Sequence, residues 1–311
     1  MTFAHSTFQH MPRIPGHALG VFAIFVFACG FPAAEHLLGI WDPAFLVFFR
    51  IGIVTLLMLG LWHLIEGRHA IMQAAWAKGI RIGFLGFGAG TFLLLYAQSL
   101  SDPVTVVLMA ATMPVIGVAI EVLFDGRKLS SRFVVAVILV VIGGLVATGV
   151  NLSDGQVGLG ALLALTATIL FTDASRRTVR NLQNTTILGQ TTITFFGGAL
   201  FCAMIYGALR LSDQVGAPDL QLSPMSWAAF GLYSLGAMGV SQFLWLSAVR
   251  KLGIGIAGFH TNAAPIYVMV ILLAFGGAFE ITSVWGAALL LMGVVIAQID
   301  DGRNGRGIQA S

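Results

Sequence analysis

The stretch AFLVFFRIGIVTLLMLGLWHLI, Ala44–Ile65, holds a single permanently charged side chain, Arg50, and ends at Glu66-Gly67-Arg68. Wound as a helix at about 1.5 Å per residue, it reaches across the roughly 30 Å hydrocarbon layer of a bilayer. Other stretches of similar length and character bring the expected spans to ten: Ala18–Gly39, Ala44–Ile65, Gly79–Leu100, Val104–Phe124, Phe133–Val150, Val157–Val179, Thr186–Leu209, Ser226–Val249, Gly255–Gly277 and Ile281–Ile299. The basic residues between them sort by side. One side holds Arg13, Arg68, Lys78, Arg81, Arg127, Lys128, Arg132, Arg176, Arg177, Arg180, Arg250, Lys251, Arg303 and Arg306; the other holds only Arg210. Basic loops stay in the cytoplasm, so both termini, residues 1–17 and 300–311, are expected there. A wrong span count would scramble this alternation, so count and topology support each other.

Bulk composition agrees. Mean hydropathy is +0.92, and charged residues make up 9% of the chain, against about 25% in soluble globular proteins. Ten spans leave no room in 311 residues for a soluble catalytic domain. The net charge of +3 reflects the bias that orients the spans, and no basic stripe interleaved with aromatics points to nucleic acid. The first apolar run is too long for a cleaved leader and only Arg13 precedes it, so an inner-membrane, multi-pass placement is expected. Cys29 and Cys202 both lie in apolar spans, which excludes a disulfide framework or a thiolate metal cluster.

The two halves resemble each other. A shift of 140 residues lays Phe31 on Phe171, Ala34 on Ala174 and Arg50 on Gln190. A shift of 151 lays Ala97 on Ala248 and Pro114 on Pro265, the difference matching the long gap after the seventh span. Each half, 18–150 and 157–299, then holds five spans. An odd number forces the second copy to enter the membrane from the opposite side. The fold class expected is an all-α integral membrane protein, two inverted five-helix repeats around a central cavity, an arrangement typical of secondary transporters.

Phe27-Ala-Cys-Gly-Phe-Pro-Ala-Ala-Glu-His, Trp41-Asp-Pro and Phe49-Arg50 resemble the first hairpin of the EamA domain of the drug/metabolite transporter superfamily. Tyr96-Ala-Gln-Ser-Leu running to Met113-Pro114 resembles its third and fourth helices, and Phe279-Glu280-Ile-Thr with Gly286 and Gly293 its last. The first half departs from the pattern, with Lys128 where the second has Glu280. The resemblance implies a ten-helix carrier with a central cavity that exports small metabolites, often amino acids, and whose last helix in each half is peripheral.

Pro114 and Pro265 each fall about ten residues into a span, near the midplane. A proline there should free the carbonyl four residues back, those of Ala110 and Thr261, and such groups are tolerated in buried protein or beside a cavity. Pro32 is a third candidate kink. His260, Thr261 and Asn262 precede Pro265, and an imidazole and an amide in an apolar span are costly without partners. They are read as facing the cavity and bonding the polar end of a substrate, with plain interhelical bonding as the alternative. Glu35 and Arg50 flank the Trp41-Asp42-Pro43 turn at similar depth and are read as an ion pair, or as a gate. Asp173 and Glu121 are candidates for proton coupling, although Asp173 is also one turn from Arg176 and Arg177 and suited to ordinary helix pairing. Tyr233, Gln242, Trp245 and Tyr96 are candidate cavity walls, with anchoring at the membrane interface as the alternative for Tyr96.

Gly83-Phe-Leu-Gly-Phe-Gly-Ala-Gly90 has neither a preceding strand nor a following Lys-Ser/Thr, so it reads as close helix packing rather than a phosphate loop. No nucleophile elbow and no zinc motif is present, so no enzyme activity, cofactor or metal is expected. The partners expected are a small-molecule substrate and the lipid bilayer, not nucleic acid, with H+ as a candidate coupling ion and a monomer or weak homodimer as the assembly. Export of amino acids, aromatic or apolar ones foremost, is the leading reading. Export of cationic drugs, sugars or nucleosides, a channel, and a membrane enzyme acting on lipid are the rivals.

Overall fold

A computed structural model describes residues 14–124 and 155–276, with scattered positions at 131–143 and 284–296; the side chains of Glu121, residues 155–157 and Gly255 are not described. The described residues are helical, without strands, and hold eight helices long and apolar enough to cross a membrane. These are α1 (Gly16–Leu38), α2 (Pro43–Gln73), α3 (Trp76–Leu100), α4 (Pro103–Phe124), α5 (Gly155–Asn181), α6 (Ile187–Leu211), α7 (Pro224–Leu252) and α8 (Ile256–Ala274). They coincide with the first four expected spans and the sixth to ninth. The expected fifth and tenth, Phe133–Val150 and Ile281–Ile299, fall largely outside the described residues, as do the tails 1–13 and 300–311.

Local chemistry sets where several helices begin. Asp42, Asp102 and Ser223 each stand before a proline at the first helical position and accept a backbone N–H of the first turn. Thr186 does the same for α6 through the Gly189 N–H, at 3.1 Å. An N-cap oxygen answers donors that the helix cannot satisfy, and a proline at N1 has no N–H to satisfy. At Gly67 a φ of 81° interrupts α2, a backbone that glycine adopts without Cβ strain.

The helices pair in a regular pattern. α1 packs on α7 and α8, α5 on α3 and α4, α2 on α6 and α7, α6 on α3, and α4 on α8. Exchanging each helix for the one four places later leaves this set of pairs unchanged. α1, α3, α4, α5, α7 and α8 surround the centre; α2 and α6 lie outside them and touch each other. Small residues let the backbones close in. A Cβ built on Gly83 would stand 1.8 Å from the Thr194 carbonyl oxygen, and one on Gly197 2.3 Å from that of Ile80. The glycine run 83–90 is therefore the contact surface of α3 with α5 and α6.

Irregular backbone is concentrated in four helices. α3 carries a π-helical turn at Gly83–Gly88 and α7 another at Leu232–Val240; moving the first by 151 residues places it inside the second. α4 is broken at Ala111–Thr112, just before Met113-Pro114, and α8 passes through a 3-10 turn, Phe259–Ala263, just before Ala264-Pro265. Each break carries a threonine bonding back three residues at 2.6 Å: Thr112 to the Met109 carbonyl and Thr261 to that of Gly258. The breaks meet, with a Cβ on Gly258 falling 3.4 Å from Pro114 Cα. One expectation is corrected. The Thr261 carbonyl is not left free, because the 3-10 turn brings the Ala264 N–H onto it. Pro32 lies within a continuous α1.

Gly83→Ala should destabilise the protein by about 1–3 kcal/mol, the usual cost of overpacking, because its neighbour is backbone and cannot swing aside. Gly52→Ala, with nothing within 4 Å of its new Cβ, should be neutral or stabilising. Thermal unfolding in detergent compares the two.

Candidate functional site

Six helices enclose two adjoining compartments, of ≈ 30 and ≈ 60 Å³. Phe27, Leu94 and Phe171 line both and form the partition between them. The first compartment lies toward the end of the molecule that carries Trp41, and is lined further by Arg50, Thr91, Gln98, Tyr233 and Ala237. The second lies at the level of the broken helices and is lined by Met113, Thr168, Ser175, Ser241, Gln242, Trp245 and Thr261.

Arg50 dominates the first compartment. It belongs to the outer helix α2, yet its side chain reaches inward and is only 8% exposed. Its guanidinium carbon stands 3.8 Å from the Tyr233 ring centroid, and Nε donates to Met238 Sδ at 3.3 Å. The Tyr233 hydroxyl is also within hydrogen-bonding reach of the guanidinium, and no carboxylate pairs with Arg50 among the described residues. A cation over an aromatic face recovers up to about 2 kcal/mol when desolvated. Beside it, Gln98 is 4% exposed and donates from Nε2 to the Phe31 carbonyl at 2.8 Å and to Glu35 at 3.3 Å.

The expected Glu35–Arg50 pair is therefore not formed. The two residues share a depth, but Glu35 faces α3 and Arg50 faces α7, and depth along a hairpin does not fix the direction in which a helix presents a side chain.

In the second compartment the hydroxyls are already engaged with protein. Trp245 Nε1 donates to Ser175 Oγ at 3.1 Å and Ser241 to the Ala23 carbonyl at 3.0 Å. Thr168 and Thr261 bond back within their own helices. Gln242 differs: its amide makes no hydrogen bond to protein, and its Nε2 is buried without a partner.

Of the expected site residues, the structure brings Arg50, Tyr233, Gln242, Trp245 and Thr261 to the cavity walls. Tyr96 is 42% exposed and stacks on Phe92 outside it. His260 turns to the start of α1, where its Nε2 meets His17 Nδ1 at 3.4 Å and its Nδ1 meets the Ala257 carbonyl at 3.0 Å. Asn262 is not among the lining residues, and its Oδ1 is buried without a partner. Asp173 pairs with Arg177 at 2.7 Å on the other face of α5. The Glu121 side chain lies outside the described residues. Gln98, Thr91, Ser175 and Ser241 were not singled out from sequence. Gln98 sits inside the quoted Tyr96-Ala-Gln-Ser run, so its residue type was visible although its direction was not.

Both ends are closed. Trp41 packs edge-on against Phe45, Phe49, Trp227 and Phe230 and donates to the Asp219 carbonyl at 2.6 Å. At the other end α1 abuts α7 and α8 so tightly that a Cβ on Gly16 would reach Leu252 and one on Gly20 the His260 ring. Ligand pockets usually measure about 300–1,000 Å³, so both compartments are small beside an ordinary ligand pocket.

A polytopic helical membrane protein with a mid-membrane cavity is the class this arrangement defines. Residues 14–149 match the model of the EamA-like transporter family, a family of small-molecule transporters. The fold is similar to that of a solved protein whose description reads only "Crystal structure of protein": TM-score 0.65, 19% identity, 93% of this chain and 98% of the other. No curated protein matches the chain.

The separate partners of Glu35 and Arg50 have a measurable consequence. Combining Glu35→Arg with Arg50→Glu should fail to restore the abundance lost in Arg50→Glu alone, as judged by immunoblots of purified membranes; restoration would mean that the two side chains pair.

Proposed function

We propose that this chain is a secondary transporter that exports small organic metabolites across the cytoplasmic membrane by alternating access, with amino acids bearing aromatic or apolar side chains as the leading class. The observation that carries this is the Arg50 guanidinium in the cavity wall, with no carboxylate partner among the described residues. An arginine at bilayer depth costs about 2.5–3.5 kcal/mol on insertion scales, and a cavity-lining guanidinium without a carboxylate of its own is suited to a bidentate carboxylate. The apolar part of such a solute has Phe27, Phe171, Met113 and Trp245 to lie against, and Gln242 offers one further polar contact.

The charge inventory disfavours the rivals. No carboxylate lines either compartment among the described residues, so a cationic drug has no counter-ion there. One cation is too few for a phosphorylated solute. Two inverted five-helix repeats, 18–150 and 157–299, are the reading that best accounts for the interchangeable helix pairs and for the matched π turns and proline breaks. Paired flexible points in two oppositely inserted halves supply a way to open each face in turn. The basic end is read as cytoplasmic, and one chain encloses the cavity, so a monomer is sufficient.

Liposomes containing the purified protein should show saturable movement of phenylalanine, and much less of phenylalaninamide, which lacks the carboxylate. Arg50→Met should abolish that movement while leaving thermal stability unchanged or higher, since replacing a buried charge with an apolar side chain is often stabilising. Arg50→Lys should lose about tenfold or more in transport rate, the scale of one hydrogen bond to a charged group. Equal movement of acid and amide would overturn the assignment of Arg50. Failure of every amino acid, sugar and nucleoside tested would overturn the transport reading itself.

A further inference from the structure

A second space, unconnected with the central cavity, lies between α3 and α5 at the basic end. It is a crevice of ≈ 460 Å³ lined by Lys78, Arg81, Ile82, Leu85, Gly86, Leu170, Asp173, Ala174, Arg177 and Asn181. We propose that it seats one anionic phospholipid, with the headgroup phosphate held by Lys78, Arg81 and Arg177 and the start of an acyl chain lying against Ile82, Leu85 and Leu170.

The lining is polar at one end and apolar at the other. Lys78 and Leu85 are seven residues apart on one helix, about 10 Å along its axis; Asn181 and Leu170 are eleven apart on the other, about 16 Å. Charge therefore gives way to hydrocarbon within the span of a headgroup phosphate, its glycerol and the upper part of an acyl chain. Lys78 has no ion-pair partner among the described residues, and Arg81 reaches only its own helix, at the Ala77 carbonyl. A free phosphate ester would satisfy these cations but leave the apolar half uncovered, including Leu85 at 64% exposure.

The crevice is lateral rather than a mouth of the transport path. α5 turns Thr168, Phe171 and Ser175 to the central cavity, and Leu170, Asp173, Ala174, Arg177 and Asn181 to the crevice. The floor is shut where α3 touches α5: a Cβ on Gly86 would stand 2.3 Å from that of Ala174. Asp173, holding Arg177 at 2.7 Å, lowers the positive charge of the site from within. Its role here is to temper lipid affinity.

The test is equilibrium binding of fluorescent phosphatidylglycerol to the purified protein in neutral detergent, against phosphatidylcholine with the same acyl chains. Phosphatidylglycerol should bind at least about tenfold more tightly. Lys78→Ala and Arg81→Ala should each weaken it about fivefold, the scale of one basic residue at an anionic surface. Asp173→Asn should tighten it by a similar factor, a gain that damage to the fold would not produce. Arg68→Ala, a basic residue at the same end but outside the crevice, should change nothing. Equal binding of the two lipids would overturn the proposal, as would crevice variants that behave like Arg68→Ala. Full displacement of the lipid by millimolar glycerol 3-phosphate would overturn it in favour of a free phosphate ester.

Discussion

Hydrocarbon offers no partner to a peptide group, and every other feature of this molecule is arranged around that fact. Backbone donors and acceptors must be satisfied within the chain, so the eight described spans are helical and the longer connections lie between them. Where a helix meets water, a side-chain oxygen takes over the unsatisfied donors, as at Asp42, Asp102, Thr186 and Ser223. Where a helix is broken inside the membrane, Thr112 and Thr261 bond back to carbonyls upstream and a 3-10 turn recovers another. Apart from the interruption of α2 at Gly67, the described departures from regular α-helix lie in α3, α4, α7 and α8, all of which border the central space.

Close packing does what the hydrophobic effect cannot do between helices already in lipid. Gly83, Gly86 and Gly88 bring α3 against α5 and α6 at distances no larger residue would allow. The same tightness shuts the basic end, where Gly16 and Gly20 admit Leu252 and His260. The opposite end is shut differently, by a cluster of aromatic rings about Trp41. Contacts through glycine and contacts through large flat rings respond differently to motion: rings slide and re-stack, whereas backbone contacts must separate. Separation at the two ends therefore requires different movements.

The charges divide into two groups with different duties. At the basic end Asp173, which sequence alone offered as a candidate for proton coupling, pairs with Arg177. Arg50 stands apart as a cation held deep in the bundle by an aromatic ring and a thioether instead of a carboxylate. Those neighbours lower the cost of burial without neutralising the charge of the guanidinium.

The sequence by itself located the eight described spans, because a span is declared by length and apolarity and a cap by one residue beside a proline, although α2 runs eight residues past its expected end at Ile65. It also marked Pro114 and Pro265 as breaks, since a missing N–H acts wherever the chain goes. It identified Arg50, Tyr233, Gln242, Trp245 and Thr261 as unusual for their surroundings, and all five reach the cavity. It misdirected the pairing of Glu35 with Arg50 and the placement of Tyr96 for one reason. In a helix embedded in apolar surroundings, inward and outward faces differ little in composition, so residue type gives depth but not azimuth. Only the packing of the helices on one another turned Glu35 toward Gln98, sent His260 to His17 and laid Arg50 over Tyr233.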